Sequence, residues 1–169
     1  RHSSPASENR SGRSSRKVPT GSGSNGLRAR WSQARPVPEW RDWPTAYWAH
    51  LAANICQHGK IPVILGGLED RGACEEIARI DTRVRDLSGK TKLGEVIDLL
   101  SAASGVVSND SGLMHIAAAV GAPLVAIYGS TSPLDTPPMS DLATVLTLGL
   151  ECSPCHARTC PLKHHACML

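Results

Sequence analysis

From Trp40 onward, apolar and polar positions alternate between a helical and a strand-like rhythm. Thr45 to Gln57 carries Tyr47, Leu51 and Ile55 at a four-residue spacing, follows Pro44 and stops at His58-Gly59, which predicts a helix with that row turned inward. Ile61 to Leu65 is a short apolar run ending in Gly66-Gly67, the pattern of a buried strand. Glu69 to Ile80 then predicts a charged surface helix, Val84 to Leu87 a short strand, and Lys92 to Ala103 a helix carrying Leu93, Val96, Ile97 and Leu100. Gly105 to Ser108 predicts another strand, Leu113 to Val120 an apolar helix halted by Gly121, and Pro123 to Tyr128 a further apolar strand. Near-continuous apolar strands separated by helices imply an α/β fold, a doubly wound, Rossmann-like parallel sheet covered on both faces. Ligands of such sheets sit at the carboxyl ends of strands, which directs attention to the turns Gly66 to Asp70, Gly89 to Lys92 and Asn109 to His115.

Before Trp40 the pattern disappears. The first 35 residues hold nine Ser and four Gly with six apolar residues, a composition that buries too little to offset the entropy of ordering. Residues 1–38 are therefore read as a disordered basic tail, residues 39–150 as the Rossmann-like domain and residues 151–169 as a separate Cys/His-rich segment. Charge supports the division. The net charge of +3 averages a tail with eight basic groups against Glu8 alone and a remainder with 10 basic and 14 acidic groups. The basic balance thus belongs to the tail and does not by itself indicate a nucleic-acid-binding domain. With 169 residues there is room for one ordinary domain, and no apolar run approaches the roughly 18 residues of a membrane span.

The densest chemistry lies in Asn109-Asp110-Ser111-Gly112-Leu113-Met114-His115, where an apolar strand runs through a cap-rich turn into an Ala-rich helix. Asp110 or Ser111 can cap the first helical turn, and the unpaired amides there suit a phosphate or pyrophosphate. Gly112 permits close approach to the backbone. A simple cap followed by a buried helix accounts for every residue of this stretch except His115. Near the end of the chain, Cys152, Cys155, Cys160 and Cys167 follow the spacing C-x2-C-x4-C-x6-C with His156, His164 and His165 interleaved. Such a set can hold zinc, although zinc ribbons separate their ligand pairs by more than a dozen residues; reduced thiols or an occasional disulfide are the other readings. Cys56 and Cys74, inside predicted helices, read as buried small hydrophobes.

The Asn109 to His115 turn, continuing through Ala117-Ala118-Ala119, Pro123 to Gly129, Ser132-Pro133 and Thr136-Pro137-Pro138, resembles glycosyltransferase family 9. The Cys152-Ser153-Pro154-Cys155 and Cys160-Pro161-Leu162 segments point to the type II branch of its heptosyltransferases. The resemblance extends from about Trp43 to Met168 and implies the C-terminal, donor-binding half of a two-Rossmann (GT-B) enzyme, with acceptor site and catalytic base in an N-terminal domain outside this chain. It implies inverting transfer of heptose from ADP-heptose to the lipopolysaccharide inner core, without a catalytic metal or cofactor, in the bacterial cytoplasm near the inner membrane face, with peripheral membrane contact. Donor-binding roles then fall to Arg41, Glu69, Thr91, Asp110, Ser111, Gly112, Leu113, Met114 and His115. Glu69 would bind the ribose, Thr91 would flank the adenine, and the helix amides would stabilise the departing ADP. The family's Lys-Arg-Trp-Pro reads Arg41-Asp42-Trp43-Pro44 here, so Arg41 stands in for the phosphate-neutralising lysine with Asp42 beside it.

Two other readings are carried. One is a metal-stabilised Cys/His module whose basic tail grips nucleic acid. The other keeps the architecture and changes the chemistry to a sugar-nucleotide epimerase or hydrolase. The chain also ends at Leu169, before a final helix that the resemblance leads one to expect, and is read as a fragment whose donor half binds ADP-heptose but transfers little or no sugar.

Overall fold

The computed structural model describes residues 43–157 and 159–169, together with the backbone of residues 29–33. Six strands form one sheet: β1 (Ala29–Gln33), β2 (Ile61–Leu65), β3 (Arg85–Asp86), β4 (Gly105–Asn109), β5 (Leu124–Tyr128) and β6 (Ala143–Thr147). Their order is β3-β2-β1-β4-β5-β6, with every pairing parallel. This is the doubly wound arrangement, and the order reverses between β1 and β4. Among the described residues four α-helices complete it: α1 (Thr45–Gln57), α2 (Arg71–Ala78), α3 (Leu93–Ala102) and α4 (Gly112–Ala119).

The pleat distributes side chains between two cores. Val63 and Leu65 of β2 join Val106 of β4, Leu124, Ala126 and Tyr128 of β5, and the inward residues of α3 and α4. Ile64 belongs with Trp48, Ala52 and Cys56 of α1 and Cys74 and Ile77 of α2, against which Val107 and Ile127 also pack. Successive residues of one strand thus serve opposite faces, which explains why strands buried on both sides read as continuous apolar runs. Each large aliphatic side chain removed from water here contributes about 1.5–3 kcal/mol. Cys56 and Cys74 are fully buried, as their helical positions imply, and burial pushes both thiols up, Cys74 to about 12.

Several expectations change in detail. Residues 29–33, assigned to the disordered tail, form β1, which lies between β2 and β4 at the centre of the sheet. The tail boundary at residue 38 therefore does not hold for these five positions. The other tail residues, and the Arg41-Asp42 pair, lie outside the described residues. In α1 the inward row is Trp48, Ala52, Ile55 and Cys56, while Tyr47 is 38% exposed. The helix is rotated by about one position from the expected row, because the indole of Trp48 buries more surface than the phenol of Tyr47 and keeps Trp43 as an edge-on neighbour at 5.1 Å. The expected helix from Glu69 becomes a short 3-10 turn, Leu68–Asp70, leading into α2. β6 was not anticipated, and its side chains are largely exposed along the sheet edge.

Candidate functional site

The loop after β2 is shaped by a residue that the sequence alone does not mark. Asp70 is 1% exposed, and its Oδ2 accepts the Gly67 N–H at 2.6 Å, closing the turn and sending the preceding Glu69 outward. The Glu69 carboxylate folds back over Gly67, so a side chain at that position would displace it. The neighbouring turn after β3 is held against this one by Gly89 N–H donating to the Gly66 carbonyl at 2.9 Å. That turn delivers Thr91, and Lys92 N–H donates to Glu95 Oε2 at 2.7 Å to start α3.

After β4 the chain passes through Asp110 and Ser111 into α4. Ser111 is the N-cap: its Oγ accepts the Met114 amide at 3.4 Å and lies 3.2 Å from Ser108 Oγ. Gly112 and Leu113 occupy the first turn, where amides have no acceptor within the helix and the macrodipole is positive. The turns after β2, β3 and β4 meet around an open cleft of about 350 Å³ whose walls include Glu69, Asp70, Thr91, Gly112 and Leu113. Four of the residues marked by sequence, Glu69, Thr91, Gly112 and Leu113, are thus assembled from three separate turns. The cleft is chemically graded. The exposed Glu69 carboxylate at the β2 end can accept hydrogen bonds from ligand hydroxyl groups, and the α4 amides at the other end suit an anion.

The remaining marked residues have different surroundings. Asp110 is partly buried beside the cleft, with its N–H donating to the Ile127 carbonyl at 3.1 Å and its Oδ2 accepting from Thr136 Oγ1 at 3.2 Å. His115 is exposed at the end of the first turn of α4, its amide donating to the Ser111 carbonyl at 3.4 Å. Met114, also marked as donor-binding, has a fully buried side chain with Sδ 3.3 Å from the Tyr128 hydroxyl, where the thioether packs with the core. Arg41 lies outside the described residues.

The profile of glycosyltransferase family 9 (heptosyltransferase) matches residues 33–166. The chain belongs to glycosyltransferase family 9. It is 45% identical over 111 residues to the lipooligosaccharide heptosyltransferase 2 of Haemophilus influenzae, an alignment covering 63% of this chain and 32% of that relative. The lipopolysaccharide heptosyltransferase 2 of Escherichia coli is 42% identical over the same length, again with 32% of that protein covered. Among solved structures, the E. coli ADP-heptose lps heptosyltransferase II superposes with a TM-score of 0.68 at 36% identity, over 75% of this chain and 40% of that one. The family 9 chain described here therefore spans about a third of the length of these curated relatives. Its parallel sheet with flanking helices is the fold of these GT-B heptosyltransferases over the part covered. Neither the nucleic-acid-binding module nor the epimerase or hydrolase reading finds support in these relationships.

The Cys/His segment folds against the end of β5. Cys152, Cys155, Cys160 and Cys167 line one small cavity of about 20 Å³ together with Ser130, His164 and His165. The amide of His165, followed by those of Leu162, His164 and Lys163, faces Cys160 and holds its thiol below the ordinary range against the opposing effect of burial. Burial raises Cys167, and the neighbouring Cys155, Cys160 and Cys152 raise it further. The zinc expectation is corrected in one respect: among the described residues no group of three or more His, Cys, Asp or Glu side chains is arranged to hold a metal ion. A zinc site needs sulfurs converging on one point at about 2.3 Å. Among the described residues, no helix is long and apolar enough to cross a membrane.

Proposed function

We propose that this chain is the nucleotide-sugar-binding part of a heptosyltransferase that moves heptose from ADP-heptose to the lipopolysaccharide inner core. One observation carries the reading: the cleft that joins Glu69 and Thr91 to the first turn of α4. In this reading the ribose hydroxyls donate to Glu69, Thr91 flanks the adenine, and the diphosphate lies at Gly112 and Leu113. Ser111 keeps the helix end in register, while Asp110 and His115 flank the sugar side. Arg41 supplies the cation expected near the phosphates. Residues 39–150 with β1 form the donor domain, and residues 151–169 brace it.

The chemistry is displacement at the anomeric carbon. The acceptor hydroxyl loses its proton to a base outside this chain, its oxygen bonds to the anomeric carbon, and the bond to the ADP oxygen breaks with inversion. Negative charge then grows on the leaving diphosphate, where amides already oriented by α4 stabilise it without reorganisation. No metal or other cofactor takes part. A lipid-anchored acceptor requires the complete enzyme to work against the inner membrane face from the cytoplasm, through peripheral contact.

Relatives support the donor class, since E. coli heptosyltransferase WaaC is described both with ADP and with ADP-2-deoxy-2-fluoro heptose, at 26% identity in each case. Titration calorimetry of the chain with ADP-heptose tests the reading. Saturable binding that weakens about tenfold in Glu69→Gln is expected, in line with loss of charged hydrogen bonds. No binding up to millimolar donor, or equal affinity for a pyrimidine nucleotide sugar, refutes it. The same chain should transfer no heptose on its own.

A further inference from the structure

The segment between β5 and β6 starts with a strap, Gly129 to Thr136, that crosses the carboxyl edge of the sheet beside α4. Within the strap the Asp135 and Thr136 amides donate to the Ser132 carbonyl at 3.1 and 3.2 Å, and the Leu134 amide donates to Ser132 Oγ at 3.1 Å. From below, the Tyr128 hydroxyl donates to the Thr136 carbonyl at 2.6 Å. From outside, the Cys/His segment holds it through the Ser153 hydroxyl on the Gly129 carbonyl and the His156 amide on the Ser130 carbonyl at 2.8 Å. His156 Nε2 also lies 3.4 Å from Asp135 Oδ2. At the free end of this braced strap, Thr136 Oγ1 reaches across 26 positions of sequence to Asp110 Oδ2 at 3.2 Å.

We propose that Thr136 is a positioning residue that holds the Asp110 carboxylate away from the N-terminus of α4, so that the first-turn amides stay available to the donor's diphosphate. The inference rests on the donor-site reading above and extends it. Asp110 immediately precedes the N-cap Ser111, and a carboxylate there is itself an anion beside a positive helix end. Left unrestrained, it turns onto the first-turn amides and competes with any phosphate for them. A hydroxyl held rigidly on the opposite side changes the balance, because it offers the carboxylate a donor away from the helix. The same oxygen of Thr136 lies 3.3 Å from the Ser132 carbonyl, so its one proton is shared between that carbonyl and the Asp110 carboxylate. The strap's bracing on two sides is what makes that restraint effective.

The test uses the whole 169-residue chain and ADP as the probe, in wild type, Thr136→Val, Thr136→Ser, Asp110→Asn and the Asp110→Asn/Thr136→Val pair. Valine keeps the shape and removes the hydroxyl; serine keeps the hydroxyl. Thr136→Val should weaken ADP binding about tenfold, roughly the worth of a charge-assisted hydrogen bond, while Thr136→Ser stays within about twofold. In the Asp110→Asn background, where the competing charge is gone, adding Thr136→Val should change affinity by less than about twofold. Equal losses for valine and serine, or an undiminished valine effect in the asparagine background, overturn the proposal. A ligand-free reading separates its failure from failure of the donor site. Hydrogen exchange at the Gly112 and Leu113 amides should slow in Thr136→Val, as Asp110 turns onto them, and remain at the wild-type rate in Thr136→Ser. If exchange behaves so while wild type binds no ADP, the donor reading falls and the positioning role stands; unchanged exchange in Thr136→Val overturns the positioning role.

Discussion

Tyr128 and Thr136 are joined by a 2.6 Å hydrogen bond from the phenol to a backbone carbonyl, with Met114 Sδ 3.3 Å from the same hydroxyl. The phenol is 1% exposed, so the last residue of β5 fastens the strap over the sheet from inside the core. Tyr128→Phe leaves the ring in place and strands the carbonyl, which should cost about 1–2 kcal/mol in urea unfolding. Burial, reinforced by the Asp110 charge, pushes the phenol up to about 12, above its ordinary value near 10. A raised folded value means that the stabilisation is complete below pH ~10 and is lost as pH climbs toward ~12. Wild type should therefore lose stability across that window, and the phenylalanine variant should show a shallower loss there, with the residual slope coming from the raised thiols of Cys56, Cys74 and Cys167. An identical alkaline slope in both proteins would contradict the assignment.

Met114 offers a second test, because the donor-site sequence motif and the core make opposite demands on it. It is fully buried among α4, β5 and the strap. Met114→Ala should destabilise the chain by about 2–4 kcal/mol through lost packing and a residual cavity. Under conditions where the variant remains folded, its ADP affinity should match that of wild type. A large loss of affinity with little loss of stability would return Met114 to the ligand side.

What the residues disclosed in advance followed from how each structural role leaves a mark in the chain. α1 was legible to the residue because a proline precedes it and His58-Gly59 ends it, and Gly59 does take a left-handed φ of 69°. β2, β4 and β5 were legible because both their faces are buried. β1 was hidden: Ala-Arg-Trp-Ser-Gln has neither an apolar run nor strict alternation, and it sits in a stretch rich in Ser, Gly and Arg. β6 escaped because its exposed side chains carry no burial constraint. The turns holding Glu69 and Gly112 could be marked from their places after strands, since the parallel sheet brings those turns together, while the choice of Glu69 within its turn came from the family resemblance. Asp70 and Thr136 could not, because their importance lies in one hydrogen bond each, made possible by turn geometry that no periodicity encodes.

Arg83 forms a clasp at the far end of the sheet. Its Nε and Nη2 donate to the two oxygens of Asp81 at 2.9 and 2.6 Å, and its Nη1 donates to the Cys56 carbonyl at 2.8 Å near the end of α1. The Arg83 guanidinium holds the Asp81 carboxyl well below the usual carboxylate range. A depressed folded value gives stability that is present above the unfolded pKa of about 3.9 and is lost as pH falls through the folded value. Arg83→Gln should therefore be less stable than wild type near neutrality, and so unfold at a higher pH on acidification, with the difference in stability shrinking as pH falls below about 4. Acid titration followed by circular dichroism reads this directly, and coincident acid midpoints would remove the clasp from the account.

Gly129, at the exit of β5, decides how closely the C-terminal segment can approach. A Cβ added there would run into the Met168 side chain and lie 3.3 Å from the Cys167 carbonyl oxygen. Met168 is only 4% exposed, so its thioether has little room to retreat. Gly129→Ala should cost about 1–3 kcal/mol by overpacking, measured by urea unfolding. Because the thioether is the nearer obstacle, shortening it should help: Met168→Ala combined with Gly129→Ala should be destabilised by less than the sum of the two single variants. Strict additivity would show that the alanine methyl is accommodated without touching Met168, and the close contact between β5 and the Cys/His segment would then need another explanation.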